Sequence, residues 1–186
     1  TILNKLFENV IRLSTRMRDT TGIAKDVISL GDIAVKLVDE KAGLDSKKKV
    51  LLIGTGNSAA LVAKTLNKKE VSYDVTSRNI ERATGFSTIV GGNPIDFDDV
   101  LTTFDKYDII FVATTSDYFL ITYDRIKLIM EAKKKGTLIL DLSDPRTVDE
   151  GITALPGIKL LFRDQIAEIY EESVKDRATI VPAVEK

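Results

Sequence analysis

The stretch that most constrains this chain is a short apolar run leading directly into glycines: Val50-Leu51-Leu52-Ile53, then Gly54-Thr55-Gly56-Asn57-Ser58-Ala59. Four consecutive apolar residues with no polar alternation suit a strand covered on both faces of a parallel sheet. The Gly-x-Gly-x-x-Ala pattern that follows opens a stretch rich in alanine and leucine, which reads as a helix. Gly54 permits a tight strand-to-helix turn, Gly56 lets backbone approach an anion with no Cβ in the way, and Ala59 keeps helix and sheet close. The N–H groups of the helix start then point at a pyrophosphate, helped by the positive end of the helix dipole. The competing reading is a structural turn that uses glycine for backbone reasons alone. The pattern lacks a Gly-Lys-Ser/Thr ending, which argues against a triphosphate-binding P-loop.

Similar apolar runs recur at Tyr73–Val75, Thr88–Val90, Ile109–Ala113, Leu138–Leu142 and Ile158–Phe162, and each predicts a strand. Helix-compatible stretches lie between them, chiefly Ser58–Asn67, Ile80–Gly85, Asp98–Phe104 and Asp124–Lys134. Gly91-Gly92-Asn93-Pro94 reads as a turn cluster. Repeated alternation of strand and helix predicts a Rossmann-like, doubly wound, mainly parallel sheet with helices on both faces. Parallel strands return by crossovers, so the loops after their carboxyl ends gather on one edge, where ligands bind.

Before this series come two helical patterns. Leu3, Leu6, Phe7, Val10, Leu13 and Met17 fall at steps of three and four, and after a break at Thr20-Thr21-Gly22 a second helix carries Ile28, Ile33, Leu37 and Val38, with a Ser29 to Asp32 capping pattern. The reading divides the chain into a helical arm over 1–45, a dinucleotide-binding domain over 46–165 and a helical segment over 166–186. With 186 residues and 44% hydrophobic content, one ordinary domain with arms is the expectation.

About 20 residues past the glycines, a fold that takes NAD ends its second strand in Asp or Glu, which hydrogen-bonds the adenosine ribose. Here that place reads Val75-Thr76-Ser77-Arg78-Asn79. Without a carboxylate a 2′-phosphate meets no repulsion, Arg78 supplies a planar charged fork and Ser77 a hydroxyl, so NADP(H) is favoured over NAD(H). Arg82, four residues on, either reaches the same phosphate or is a solvated arginine paired with a neighbour such as Glu81.

The fourth predicted strand runs into Thr114-Thr115-Ser116, small hydroxyl residues that leave room for the ribose and nicotinamide, or that simply cap the loop. The fifth ends in Asp141-Leu142-Ser143-Asp144-Pro145-Arg146, where a structural role for Asp141, accepting backbone N–H groups, is the favoured reading.

Composition limits the chemistry. The chain contains no cysteine and no histidine, so it has no disulfide, thiolate nucleophile, imidazole base or usual zinc site of its own. Charged residues make up 30% and nearly cancel, to a formal net charge of −1, so neither global attraction to a polyanion nor an acidic tail is indicated. No apolar run approaches the ~20 residues that span a bilayer and no signal-peptide pattern opens the chain, so a cytoplasmic protein without a membrane partner is expected.

The combination resembles glutamyl-tRNA reductase over nearly the whole chain. The resemblance is carried by Arg16-Met17-Arg18-Asp19-Thr20-Thr21-Gly22-Ile23, by Val50 to Ala59, by Ser77-Arg78 with Glu81-Arg82-Ala83, and by Asp141-Leu142 with Pro145-Arg146. Departures are Ala59 for a glycine, Ser77 for an asparagine, and Thr114-Thr115-Ser116 for a Ser-Ser-Thr-Gly type loop. In that family a cysteine of an N-terminal domain attacks the glutamyl ester of charged tRNA, and NADPH reduces the thioester to glutamate-1-semialdehyde, at the entry to tetrapyrrole (porphyrin) synthesis. The resemblance therefore implies that this chain seats NADPH through Gly54, Thr55, Gly56, Asn57, Ser58, Ala59, Ser77, Arg78, Arg82, Thr114, Thr115 and Ser116. It implies that the acylation site lies on sequence before Thr1, and that a homodimer forms through sequence near and after Ala178. Two alternatives stand beside it: the cofactor domain of a shikimate-dehydrogenase-like oxidoreductase, and a non-catalytic NAD(P) sensor.

Overall fold

A computed structural model describes residues 29–131 and 135–166. The first helical pattern, over 3–17, and the segment from 167 onward lie outside these residues.

Helix α1 (Leu30–Ala42) begins where the sequence places its cap: the Ser29 side chain accepts from the Asp32 backbone N–H while the Asp32 carboxylate accepts from Ser29, a reciprocal capping box. Strand β1 (Val50–Ile53) leads into α2 (Asn57–Lys68), β2 (Tyr73–Thr76), α3 (Ile80–Val90), the two-residue β3 (Asn93–Pro94) and α4 (Phe97–Thr102). A 3-10 turn at Phe104–Lys106 precedes β4 (Ile109–Val112), α5 (Tyr123–Met130) and β5 (Thr137–Asp141), and a second at Glu150–Ala154 precedes β6 (Ile158–Phe162).

The six strands form one sheet in the order β3-β2-β1-β4-β5-β6, with every neighbouring pair parallel. The chain steps outward from β1 in one direction as far as β3, then returns to β4 on the other side. Beyond the carboxyl ends of β1 and β4 this reversal leaves a crevice, the place where doubly wound folds bind ligands.

Side chains of each strand alternate between two cores. Val50 and Leu52 of β1 join Val75, Ile109, Phe111, Leu138 and Leu140 beneath α1 and α2. Leu51 and Ile53 join Ile110, Val112 and Ile139 beneath Val100, Phe104, Ile126 and Met130. Helix α1 packs its Ile33, Ala34, Val35, Leu37 and Val38 into the first core, continuous with the strands.

One expectation is corrected. Thr88–Val90, read as a strand, forms the last turn of α3, and the strand that follows comes from Asn93–Pro94, read as part of a turn. The helix continues because its buried positions, Ala83 and Phe86, are three apart. Ile89 is 86% exposed, so the apolar run does not mark a strand covered on both faces. Gly91 N–H closes the helix on the Ser87 carbonyl. Pro94 lacks an N–H, which an edge strand tolerates.

Candidate functional site: the crevice beyond β1 and β4

A cleft of about 480 Å³ opens at the reversal point, lined by Ile53, Gly54, Thr55, Gly56, Ser77, Arg78, Asn79, Arg82, Phe97, Ala113, Thr114, Thr115 and Leu120. These residues come from the exits of β1, β2 and β4 and from the start of α4, segments far apart in the chain. The topology brings them together.

At the exit of β1, Gly54 has φ +125°, and a Cβ on it would stand 2.0 Å from the Ala113 carbonyl oxygen. Glycine is required there both for the backbone conformation and for the close approach of β1 to β4. Gly54 N–H donates to the Thr76 carbonyl at 2.8 Å, which ties the turn to β2. Gly56 is different. It is the N-cap of α2 with an ordinary φ of −87°, and a Cβ there would meet nothing within 4 Å. Its missing side chain therefore leaves room in the cleft and relieves no clash.

No side chain caps α2, and its first turn contains no acidic residue. The first N–H groups of a helix have no intrahelical partner, so this start offers donors and a positive dipole end to an anion. Asn57 is exposed and Ser58 partly exposed at the helix start, outside the residues that line the cleft. Ala59 is fully buried against the sheet, in the core rather than the cleft.

At the exit of β2, Ser77 Oγ donates to the Asn79 carbonyl at 2.6 Å, and Asn79 caps α3 by accepting from Glu81 N–H at 2.8 Å and Arg82 N–H at 3.3 Å. This turn fixes the direction in which Arg78 and Arg82 leave the backbone. Both are exposed and line the cleft, and among the described ion pairs neither has a carboxylate partner. The Glu81 pairing considered for Arg82 is not formed. Arg78 Nη1 instead donates to Tyr118 Oη at 3.4 Å, with the guanidinium carbon 5.7 Å from the Tyr118 ring centre.

Thr114 and Thr115 line the cleft from the β4 side, whereas Ser116 turns inward: it is 1% exposed, and its Oγ has no hydrogen-bond partner among the described residues. Asp141, also 1% exposed, accepts from Ser143 N–H at 2.9 Å, Thr147 N–H at 2.8 Å and Val148 N–H at 3.0 Å. Ser143 Oγ in turn accepts from Thr114 N–H at 3.1 Å. Asp141 thus organises its own loop and, through Ser143, anchors the start of the Thr114 loop, the structural role favoured from the sequence. Arg146 pairs with Glu150 and with Asp164 at 2.8 Å; the Asp164 contact holds its guanidinium above the usual arginine range.

Asn79, Phe97, Leu120 and Tyr118 were not among the residues expected from the sequence. Asn79 carried a visible cap signal before α3; Phe97 and Leu120 line the cleft from the start of α4 and the loop after β4, and Tyr118 of that loop touches the lining residue Arg78. The lining contains no carboxylate, imidazole or thiol, and no group of three or more metal-ligating side chains occurs among the described residues. It offers backbone donors, hydroxyls and two guanidinium groups, a set suited to binding phosphates and unsuited to nucleophilic or acid–base work.

Comparison with known proteins agrees with this geometry. The family model described as shikimate / quinate 5-dehydrogenase matches residues 36–169. A glutamyl-tRNA reductase from Cenarchaeum symbiosum is 46% identical over 184 residues, covering 99% of this chain and 44% of that protein. One from Archaeoglobus fulgidus is 31% identical over 185 residues, covering 99% and 42%. The solved structure of glutamyl-tRNA reductase from Methanopyrus kandleri superposes with a TM-score of 0.76 at 29% identity, covering 98% of this chain and 47% of that one. The chain thus spans under half the length of these relatives. With the glycine junction, the β2 exit and the β4 loop all inside the matched stretch, the chain belongs to the shikimate / quinate 5-dehydrogenase family, and it is similar along its length to glutamyl-tRNA reductases.

Proposed function

We propose that the chain binds NADPH in this crevice and is the hydride-donor seat of a glutamyl-tRNA reductase. The observation that carries the reading is the uncapped start of α2, left open at Gly56, beside a cleft lined by two arginines that no carboxylate pairs among the described residues. The α2 N–H groups would hold the pyrophosphate, and Arg78, with Arg82 and the Ser77 hydroxyl, the 2′-phosphate. Phe97 and Leu120 offer apolar wall to the cofactor's rings, and Thr114 and Thr115 offer hydroxyls to its ribose and amide. When bound there, NADPH would supply the hydride that reduces a thioester carbonyl to an aldehyde, the C–S bond breaking with release of the thiolate.

The thioester needs a cysteine, and this sequence has none. In this reading the residues up to 45 connect to a preceding catalytic domain, 46–165 hold the cofactor, and 166–186 lead to a dimerisation region. The whole enzyme is then a cytoplasmic homodimer acting on glutamyl-tRNA in tetrapyrrole (porphyrin) biosynthesis, with no membrane partner. Among the described residues no helix is long and apolar enough to cross a membrane.

The test is a calorimetric titration of the chain with NADPH and NADH. NADPH should bind more tightly, and Arg78→Ala should weaken it by roughly tenfold to a hundredfold, the effect of a lost charge-assisted hydrogen bond of about 1.5–3 kcal/mol. NADH should be nearly unaffected; equal losses for both would remove the 2′-phosphate assignment. The family description also supports a second reading, a dehydrogenase acting on shikimate or quinate. Shikimate oxidation by the complete protein, without formation of semialdehyde from glutamyl-tRNA, would favour it.

A further inference from the structure

The loop between β4 and α5 is pinned at both ends. Thr114 N–H donates to Ser143 Oγ at 3.1 Å, Leu120 N–H donates to the Thr147 carbonyl at 2.7 Å, and the Leu120 carbonyl accepts from Arg125 Nη1 at 2.8 Å. Between these anchors Tyr118 is 46% exposed, an aromatic residue that the core does not claim. It meets the cleft residue Arg78, forty positions away in the chain, with the phenol oxygen 3.4 Å from Nη1 and the ring centre 5.7 Å from the guanidinium carbon.

Resting on the NADPH reading above, we propose that Tyr118 is a specificity-determining positioning residue, which holds the Arg78 guanidinium at the ribose end of the cleft and so sharpens selection of nucleotides that carry a 2′-phosphate. The chemistry favours this division of labour. A long exposed arginine loses rotamer freedom when it clamps a phosphate, and a contact that restrains it beforehand reduces that loss. A ring face attracts the cation without consuming the in-plane N–H groups that a phosphate needs. The phenol contact, long for a hydrogen bond, is readily exchanged for a phosphate oxygen.

The test is a double-mutant cycle on the full chain, read by calorimetric titration with NADPH and with NADH. Tyr118→Ala should weaken NADPH by about two- to fivefold, the size of an exposed cation–π contact, and leave NADH unchanged. Tyr118→Phe, which keeps the ring face, should recover most of that loss. In an Arg78→Ala background Tyr118→Ala should have no further effect, because the residue acts only through the arginine. Equal weakening of both cofactors by Tyr118→Ala, the same loss with Arg78 absent, or no loss at all would overturn the proposal while leaving the cofactor assignment intact. Failure of the unmodified chain to bind NADPH would overturn both.

Discussion

Two glycines two residues apart differ in what a side chain would meet: the Ala113 backbone at Gly54, open space at Gly56. Gly54 combines φ +125° with a Cβ position 2.0 Å from the Ala113 carbonyl. Gly54→Ala should therefore destabilise the protein by about 2–5 kcal/mol, measured by urea unfolding, since positive-φ strain adds to a backbone clash. At Gly56 a Cβ meets open space and the backbone is ordinary. Gly56→Ala should cost less than about 1 kcal/mol of stability, the range of N-cap exchanges, yet weaken NADPH at least about tenfold by placing a methyl group in the pyrophosphate's path. A variant that binds normally would show that the cofactor does not approach this backbone. The sequence pattern marked both residues; it could not say which served the fold, because that depends on how near β4 comes.

At the scale of elements, α1 and α2 pack without a side chain between them at Gly31, where a Cβ would lie 2.3 Å from the Leu61 backbone. Gly31→Ala should force the helices apart and cost about 1–3 kcal/mol in urea unfolding. Two carboxylates fasten the same pair of helices: Asp32 accepts from Thr65 Oγ1 at 2.7 Å, and Asp39 from Lys69 Nζ at 2.8 Å. Burial pushes the Asp32 carboxyl up, but hydrogen bonds from Thr65 and Ser29 outweigh it and leave it below its usual range. Asp39 is held low by Lys69 and by the Leu44 N–H. A depressed folded-state value means that both contribute stability above the unfolded carboxylate range and lose it as pH falls through the folded values. The urea midpoint should therefore drop below about pH 4, and an Asp32→Asn/Asp39→Asn variant should show a shallower drop over that window. The Ser29–Asp32 cap was legible because it is local in sequence. The end of α3 was not, since Thr88-Ile89-Val90 has strand propensity and only the exposure of Ile89 shows that packing decided otherwise.

For the whole molecule, buried apolar runs alternating with helix patterns make the doubly wound architecture legible at β1, β4 and β5, whereas the strand order is set by the crossovers and no run encodes it. The crevice was readable only in part. Gly54, Arg78 and Thr114 lie at strand ends, where the fold rule puts ligands, whereas Phe97 reaches the crevice, and Tyr118 reaches Arg78, through tertiary folding that no spacing encodes. Ser116 illustrates the converse, a hydroxyl at the expected position in sequence that turns into the interior. Because the chain has no cysteine, it should bind NADPH yet form no semialdehyde from glutamyl-tRNA by itself; turnover in that assay would overturn the division of labour. The central claim is that the β1–α2 junction receives the cofactor's pyrophosphate. Titrating the isotopically labelled chain with NADPH and following its backbone amides by NMR tests this most directly. The account predicts that the largest shifts fall on Thr55, Gly56, Asn57 and Ser58, with Arg78 perturbed by NADPH but far less by NADH. Saturable binding that leaves those four amides unmoved would contradict it.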